Sequence, residues 1–125
     1  MRRQPPAKSV EFLQWLQTAK ERGGRMWAQL MKFRVAEGKE DQMQRLDGQW
    51  TEEIGRGTDS GWVRSITLRS DKDPQEWYEL VFFESEAKAR ANEKTPKHEA
   101  LVKQMMDVAE GIDFVDLTPV NESSR

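Results

Sequence analysis

The sequence lacks several residue types on which common kinds of functional site depend. It contains no cysteine, which excludes disulfide bonds and thiolate metal sites and is compatible with the reducing cytoplasm in which we expect the protein. It has 1 histidine, His98, and a lone histidine without a carboxylate or cysteine at ligand spacing is a poor metal site. No nucleophile pair or phosphate-binding loop stands out. We therefore expect no metal and no cofactor.

The chain also lacks an excess of positive charge and a long apolar run. Its 20 basic and 22 acidic residues give a net charge of −2, which provides no potential for holding a phosphate backbone, so we expect no nucleic-acid partner. No apolar stretch approaches the roughly 20 residues needed to cross a bilayer. Near the start, Glu11, Gln14 and Gln17 interrupt any apolar centre of a signal peptide. We expect no membrane partner.

A chain of 125 residues with 36% hydrophobic content is long enough for one domain with a modest core. We expect three segments: an N-terminal tail and amphipathic helix over residues 1–24, the domain over residues 25–120, and a disordered polar tail over residues 121–125. Ser9 is a candidate N-cap of the first helix. We expect that helix to pack on its own domain or on a second subunit, and a membrane-surface or regulatory role is the alternative.

Hydrophobic periodicity predicts a strand and then a helix in the first half of the domain. Large side chains alternate from Arg25 to Val35, and both faces are apolar at first, which indicates a central strand. After Gly38, a helix would place four apolar side chains along one stripe. They are Met43, Leu46, Trp50 and Ile54. Residues 55–61 are predicted to form a loop.

The second half predicts three more strands. They are Trp62–Arg69, Trp77–Phe83 and Asp113–Leu117. The first two flank a short connection with the aspartate and proline of a hairpin loop, so we expect them to pair antiparallel.

A helix broken once is predicted between the last two strands. Ser85 is placed to cap its first part, and Thr95 to cap its second part, with Pro96 at the first helical position. Gly111 is predicted to end the second part in a left-handed conformation.

The order βαββαβ predicts a ferredoxin-like, split βαβ fold of the α+β class, with two helices on one face of a four-stranded antiparallel sheet. The strands carry more large apolar side chains than two helices are expected to cover. These are Trp27, Met31, Phe33, Trp62, Ile66, Trp77, Val81 and Phe83. An exposed apolar sheet face is commonly an association surface, so we expect a homodimer whose two sheets close a barrel.

Three segments resemble a known family between Arg25 and Pro119. The first segment, which is similar to the family's strand end, glycine and first helix, is FRVAEGKEDQMQ. The second, which is similar to its strand, acidic turn and broken helix, is VFFESEAKARANEKTPKHEAL. The third, which is similar to its last strand, is VDLTPV. Together they resemble the antibiotic biosynthesis monooxygenase family of dimeric α+β barrels, which includes quinol monooxygenases and haem-degrading enzymes. The resemblance implies a small aromatic ligand between sheet and helices, and in some members oxidation by O2 without metal or flavin.

The sequence departs from this family at positions that matter for its chemistry. Phe83 stands where many members have Trp, and Asn92 where quinol monooxygenase-like members often have His and haem-degrading members have Trp. The haem-degrading members also have an axial His at the position of Val102 and an Asn near that of Met31. The resemblance therefore disfavours haem as a cofactor.

Two polar residues are candidate catalytic groups, each with a structural alternative. A histidine has an ordinary pKa near 6.5, suited to acid–base work. The alternative, which the position of His98 in the first helical turn favours, is a partly exposed residue without a chemical role. Asn92 lies at the helix break, where its amide would bind either a ligand oxygen or free backbone groups.

Five residues are predicted to form the wall of a ligand cavity, and the alternative is that they belong to the core. They are Trp27, Gln29, Met31, Phe33 and Phe83. Buried, Gln29 would need a ligand, a water or a twin subunit as its partner.

Three functions remain open at this point. The first is a cofactor-independent monooxygenase acting on a phenol or quinol, in which the substrate supplies electrons to oxygen and the protein supplies a dry pocket and a proton acceptor. The second is a non-catalytic protein that binds an apolar small molecule in the same cavity. The third is a structural dimer whose cavity is filled by its own Trp and Met side chains.

Overall fold

The computed structural model describes residues 26–125, which form the expected βαββαβ order with a broken second helix. The elements are β1 (Trp27–Val35), α1 (Glu40–Trp50) with a following π-helical turn (Thr51–Gly55), β2 (Trp62–Arg69), β3 (Glu76–Phe83), α2 (Glu86–Glu93), α3 (Pro96–Val108) and β4 (Ala109–Leu117). The predicted N-terminal helix lies outside the described residues. Residues 118–125 form neither helix nor strand, and the predicted domain limits stay predictions.

The strands form one four-stranded sheet in the order β2-β3-β1-β4, with every neighbouring pair antiparallel. The central position of β1 and the antiparallel pairing of β2 with β3 are both as predicted. β1 pairs along its length with both neighbours, so that Met31 lies between Glu79 of β3 and Phe114 of β4. The predicted α+β, ferredoxin-like fold is confirmed.

Local capping explains why the second helix breaks and restarts. The Ser85 side chain accepts a hydrogen bond from the Lys88 N–H at 3.2 Å and starts α2. The Thr95 side chain accepts one from the His98 N–H at 3.3 Å and starts α3, with Pro96 in the first turn, where its missing N–H leaves no helical bond unmade. Both predicted caps are confirmed.

The end of α3 differs from the prediction. The helix ends at Val108, Ala109 already has extended backbone, and β4 begins there rather than at Asp113. Gly111 therefore lies within the strand, and the prediction that it ends the helix is wrong. Its φ of 66° coincides with a shift in the β1–β4 register between Phe33 and Arg34, so its conformational freedom serves a β-bulge.

The two faces of the sheet carry different apolar side chains. The inner face, which the helices cover, holds almost all of the aromatic side chains that the sequence predicted to be in excess, including Trp27, Trp77 and Phe83. The sequence predicted that two helices would leave some of these large apolar side chains uncovered. That prediction is wrong for the inner face, because the helices lie over it and form a cavity with it. The outer face presents instead a row of aliphatic side chains across all four strands. The row is Ile66, Leu80, Leu30 and Val115.

Candidate active site

A cavity of about 1160 Å³ lies between the inner face of the sheet and the three helices. That volume is on the scale of small-molecule sites, which are about 300–1,000 Å³. Every strand and helix contributes to its wall. All seven residues predicted as site residues line it: Trp27, Gln29, Met31, Phe33, Phe83, Asn92 and His98. The structure thus brings the predicted residues together, while their roles stay predictions.

An aromatic wall runs along one side of the cavity. The ring centroids of Trp27 and Phe83 are 6.2 Å apart, and those of Trp50 and Phe83 are 6.4 Å apart in an edge-to-face arrangement. Such pairs hold each other's ring orientation. Although these side chains and several methionines reach the cavity, they leave it open, which contradicts the hypothesis of a cavity filled by its own side chains.

His98 joins this wall through Trp50. The indole Nε1–H of Trp50 donates to His98 Nδ1 at 3.0 Å. Because Nδ1 accepts this bond, the neutral imidazole carries its proton on Nε2. Partial burial lowers the pKa of His98, against the opposing influence of Glu93 and Glu99. His98 is therefore held neutral, as a hydrogen-bond donor from Nε2 rather than as an acceptor.

Asn92 anchors a neighbouring loop. Its side-chain Nδ2–H donates to the backbone carbonyl of Ser60 at 2.7 Å, and at the helix break its backbone carbonyl accepts from the Thr95 N–H and hydroxyl. The amide thus binds a backbone group, as the structural alternative proposed, but on the loop before β2. Within residues 26–125, no hydrogen bond reaches its side-chain Oδ1, which leaves that atom as an acceptor at the cavity.

Gln29 is half-buried and has a partner within its own chain, a kind of partner that the prediction for a buried Gln29 did not include. Its Nε2–H donates to Asp116 Oδ1 at 3.1 Å, and the other Asp116 oxygen accepts from Arg90 at 2.7 Å. The Arg90 guanidinium lies 4.8 Å from the centre of the Trp27 ring. This is a cation–π distance, so α2 is tied to β1 and β4 at this end of the cavity.

The sequence reasoning missed two acidic residues of the cavity, Asp47 and Glu79. Glu79 lies between Met31 and Thr67 in the middle of the sheet, and its carboxyl group is hydrogen-bonded to Asp47 of α1. Burial first, and then the Asp47 carboxylate, raise the pKa of Glu79 well above its ordinary value, against a hydrogen bond from Thr67. A signal existed, because Glu79 alternates with Trp77 and Val81 on an apolar strand face.

The described residues offer no evident site for a metal ion. Between residues 26 and 125, no group of three or more His, Asp or Glu side chains is close enough to hold one. In the same part of the chain, no helix has the length and apolar character needed to cross a bilayer.

Comparison with known proteins gives matches in structure only. No protein-family model matches the sequence, and no curated protein matches it. Among solved structures, SnoaB from Streptomyces nogalater, described as a cofactor-independent oxygenase, superposes with a TM-score of 0.69 at 12% identity, over 78% of this chain and 96% of that one.

Two other similar structures are described as candidate antibiotic biosynthesis monooxygenases. The protein from Nitrosomonas europaea has a TM-score of 0.68 and 18% identity, over 81% of this chain and 96% of its own. The protein from Caulobacter crescentus has a TM-score of 0.69 and 14% identity, over 78% and 92%. At these identities the likeness establishes the fold. The family resemblance predicted from the sequence is confirmed at that level.

Proposed function

We propose that this protein is a cofactor-independent monooxygenase that oxidises a small phenol or quinol in the cavity between sheet and helices. The observation that carries the proposal is the unfilled cavity itself, which has an aromatic wall and a lining surface that is mainly apolar. The fold, shared with a protein described as a cofactor-independent oxygenase, supports the same assignment. The substrate would lie against Trp27, Trp50 and Phe83.

A reaction without a cofactor requires an electron-rich substrate, because the substrate must then supply the electrons that reduce oxygen. A phenol with a free ring position and one O2 would give a quinone and one water, and all the electrons that reduce oxygen come from the substrate. The cavity would orient the ring towards oxygen, and its aromatic wall would displace water from the bound ring. In this scheme, His98 donates a hydrogen bond from Nε2 to the oxygen that gains negative charge, and Asn92 Oδ1 accepts one from the substrate.

Oxygen uptake with a panel of hydroquinones and naphthols tests the proposal. We expect turnover in the presence of a metal chelator, and one atom from labelled O2 in the product. His98→Ala should lower kcat/KM by about 10²-fold, the usual effect of removing one preorganised donor. Asn92→Ala should lower it as well. Lys103→Ala, an exposed change on the same helix as His98, is the control and should leave turnover unchanged.

A non-catalytic binding protein is the outcome that would replace this proposal. Quenching of tryptophan fluorescence by the same phenols, without oxygen uptake by the wild-type protein, would establish binding without turnover. Wild-type turnover that survives both substitutions would instead leave the reaction class intact and reject His98 and Asn92 as its residues.

The proposal includes a homodimer in the cytoplasm. The aliphatic row of the outer face supports the dimer, because no helix in residues 26–125 lies over it and such faces are commonly association surfaces. A two-fold axis would place one such row against its copy and close a barrel from two sheets. The absence of cysteine is compatible with the reducing compartment.

A further inference from the structure

Two hydrogen-bonded carboxyl groups face the cavity from different layers of the fold. Glu79 projects from the middle of the sheet, where Met31 and Thr67 flank it on the neighbouring strands. Asp47 projects from α1, on the helical stripe that also carries Met43 and Trp50. Both side chains are partly buried. Their contact joins residues that are far apart in the sequence.

The surroundings of the pair favour a single shared proton. Two carboxylates in hydrogen-bond contact repel each other unless one is protonated. Between residues 26 and 125, neither group forms an ion pair with lysine or arginine. The Thr67 hydroxyl donates to Glu79 and is the one neighbour that favours the ionised carboxylate.

The other charged groups of the cavity are arranged around the pair without neutralising it. From β2, α2, α3 and β4 they are Arg69, Arg90, Glu93, His98, Glu99 and Asp116. Arg90 is already engaged with Glu86, Glu93 and Asp116. The residues of β1 that line the cavity are uncharged, and Glu79 is the charged residue that β3 contributes to the lining. The cavity is thus more acidic than basic, which favours a neutral ligand with a hydrogen-bond donor over a carboxylate-bearing one.

His98 is poorly placed to accept a proton from a substrate. Its Nδ1 already receives the Trp50 N–H at 3.0 Å, and its Nε2 carries the imidazole proton. The oxidation of a phenol nevertheless begins most easily from the phenolate, so the cavity needs a base. Among the other cavity carboxylates, Glu93 and Asp116 are held in ion pairs with Arg90, and Glu99 is exposed. Asp47 and Glu79 are the half-buried carboxyl groups of the cavity that no ion pair holds within residues 26–125.

We propose that the Asp47–Glu79 pair, once it has lost its shared proton, is the base that takes the hydroxyl proton of the aromatic substrate. This inference rests on the proposed function. In the step, the substrate O–H bond breaks, a carboxyl O–H bond forms, and the electron pair stays on the substrate oxygen. The product is a phenolate beside a singly protonated pair. Since that is the pair's stable state, the doubly ionised pair is a stronger base than an ordinary carboxylate.

The test is the pH dependence of kcat/KM for oxygen uptake with the phenol that the wild-type protein turns over fastest. We expect the wild-type rate to rise with pH through the raised pKa of Glu79. Glu79→Gln should remove that rise and lower the plateau by about 10²-fold or more. Asp47→Asn keeps a hydrogen-bonding group beside Glu79 but removes the charge, so the rise should move to lower pH.

Two further variants make the test specific. Thr67→Val removes the hydrogen bond that favours the Glu79 carboxylate, so the rise should move to higher pH. Asp41→Asn removes an exposed charge from the same helix as Asp47 and should leave the profile unchanged. A merely structural role for the pair would change the rate without moving the profile in these opposite directions.

The outcomes separate this inference from the proposed function. Wild-type turnover with the same profile in Glu79→Gln and Asp47→Asn would overturn the inference and leave the monooxygenase intact. Absence of wild-type turnover with every phenol would overturn the function, and with it the role of the pair as base. Misfolding is monitored by urea denaturation of each variant. If Glu79→Gln does not fold, the opposite shifts in Asp47→Asn and Thr67→Val still decide the matter.

Discussion

At the residue scale, burial and one contact both favour the neutral form of His98. The Trp50 N–H occupies Nδ1, and an imidazolium would place two donors against each other there. The two aromatic rings also meet edge to face, with centroids 6.3 Å apart. The sequence identified His98 as a candidate but not its partner, because the two residues are 48 positions apart and meet only when α1 and α3 pack.

His98 should make the folded protein less stable in acid. Its folded pKa is lowered, so as pH falls below about 6.5 the unfolded chain takes up a proton more readily than the folded chain does. Above that pH its contribution is constant. His98→Gln does not titrate, so its free energy of unfolding relative to wild type should rise as pH falls from 8 to 5.5, by at most about 1.4 kcal/mol per pH unit.

Urea denaturation of both proteins at the two pH values measures this effect. The titration of Glu79 is present in both proteins and largely cancels in the comparison. A difference between His98→Gln and wild type that is the same at both pH values would contradict the lowered pKa of His98.

At the element scale, capping and bulging show how far local sequence determines local structure. Ser85, Thr95 and Pro96 act within one helical turn, so their pattern was sufficient to predict both helix starts. Gly111 was misassigned because its positive φ serves the register between β4 and β1. That register is a long-range pairing, which a glycine by itself does not reveal.

Two glycine substitutions should have opposite effects. A Cβ at Gly111 or at Gly48 would meet no atom within 4 Å, so backbone conformation decides both cases. Gly111→Ala should lower the free energy of unfolding by about 1–2 kcal/mol, because its φ of 66° is left-handed. Gly48→Ala, within α1, should raise it by about 0.5–1 kcal/mol.

The midpoint of urea denaturation compares the two glycine variants directly, since neither is expected to change the surface exposed on unfolding. Equal effects of the same sign would show that something other than backbone conformation dominates at one of the two positions.

At the scale of the whole molecule, the outer face of the sheet bears on the state of assembly. Leu30 and Leu80 are direct partners on the two central strands, and Ile66 and Val115 extend the row to both edges. Val115 is 46% exposed. Complete burial of an exposed side chain of this size is worth about 1.5–3 kcal/mol. The other three residues of the row are already half-buried, so pairing of two rows would gain part of that value at each position.

We expect the wild-type protein to elute as a dimer at micromolar concentration, and Leu80→Lys to shift it towards the monomer. Size-exclusion chromatography with light scattering measures the mass of each. Val120→Lys places the same charge at a side chain that is 93% exposed in the C-terminal segment, and should leave the dimer intact. A wild-type monomer under these conditions would reject the dimer.

The sequence by itself determined the order of the elements, the antiparallel sheet and the identity of seven cavity residues, because periodicity and capping depend on neighbours within a few positions. Only the tertiary structure decided which sheet face the helices cover, that the cavity stays open, and that Gln29 is bonded to Asp116. It also decided that Asp47 meets Glu79. A hydrogen bond between two layers depends on how a helix seats on a sheet, and no local pattern encodes that distance.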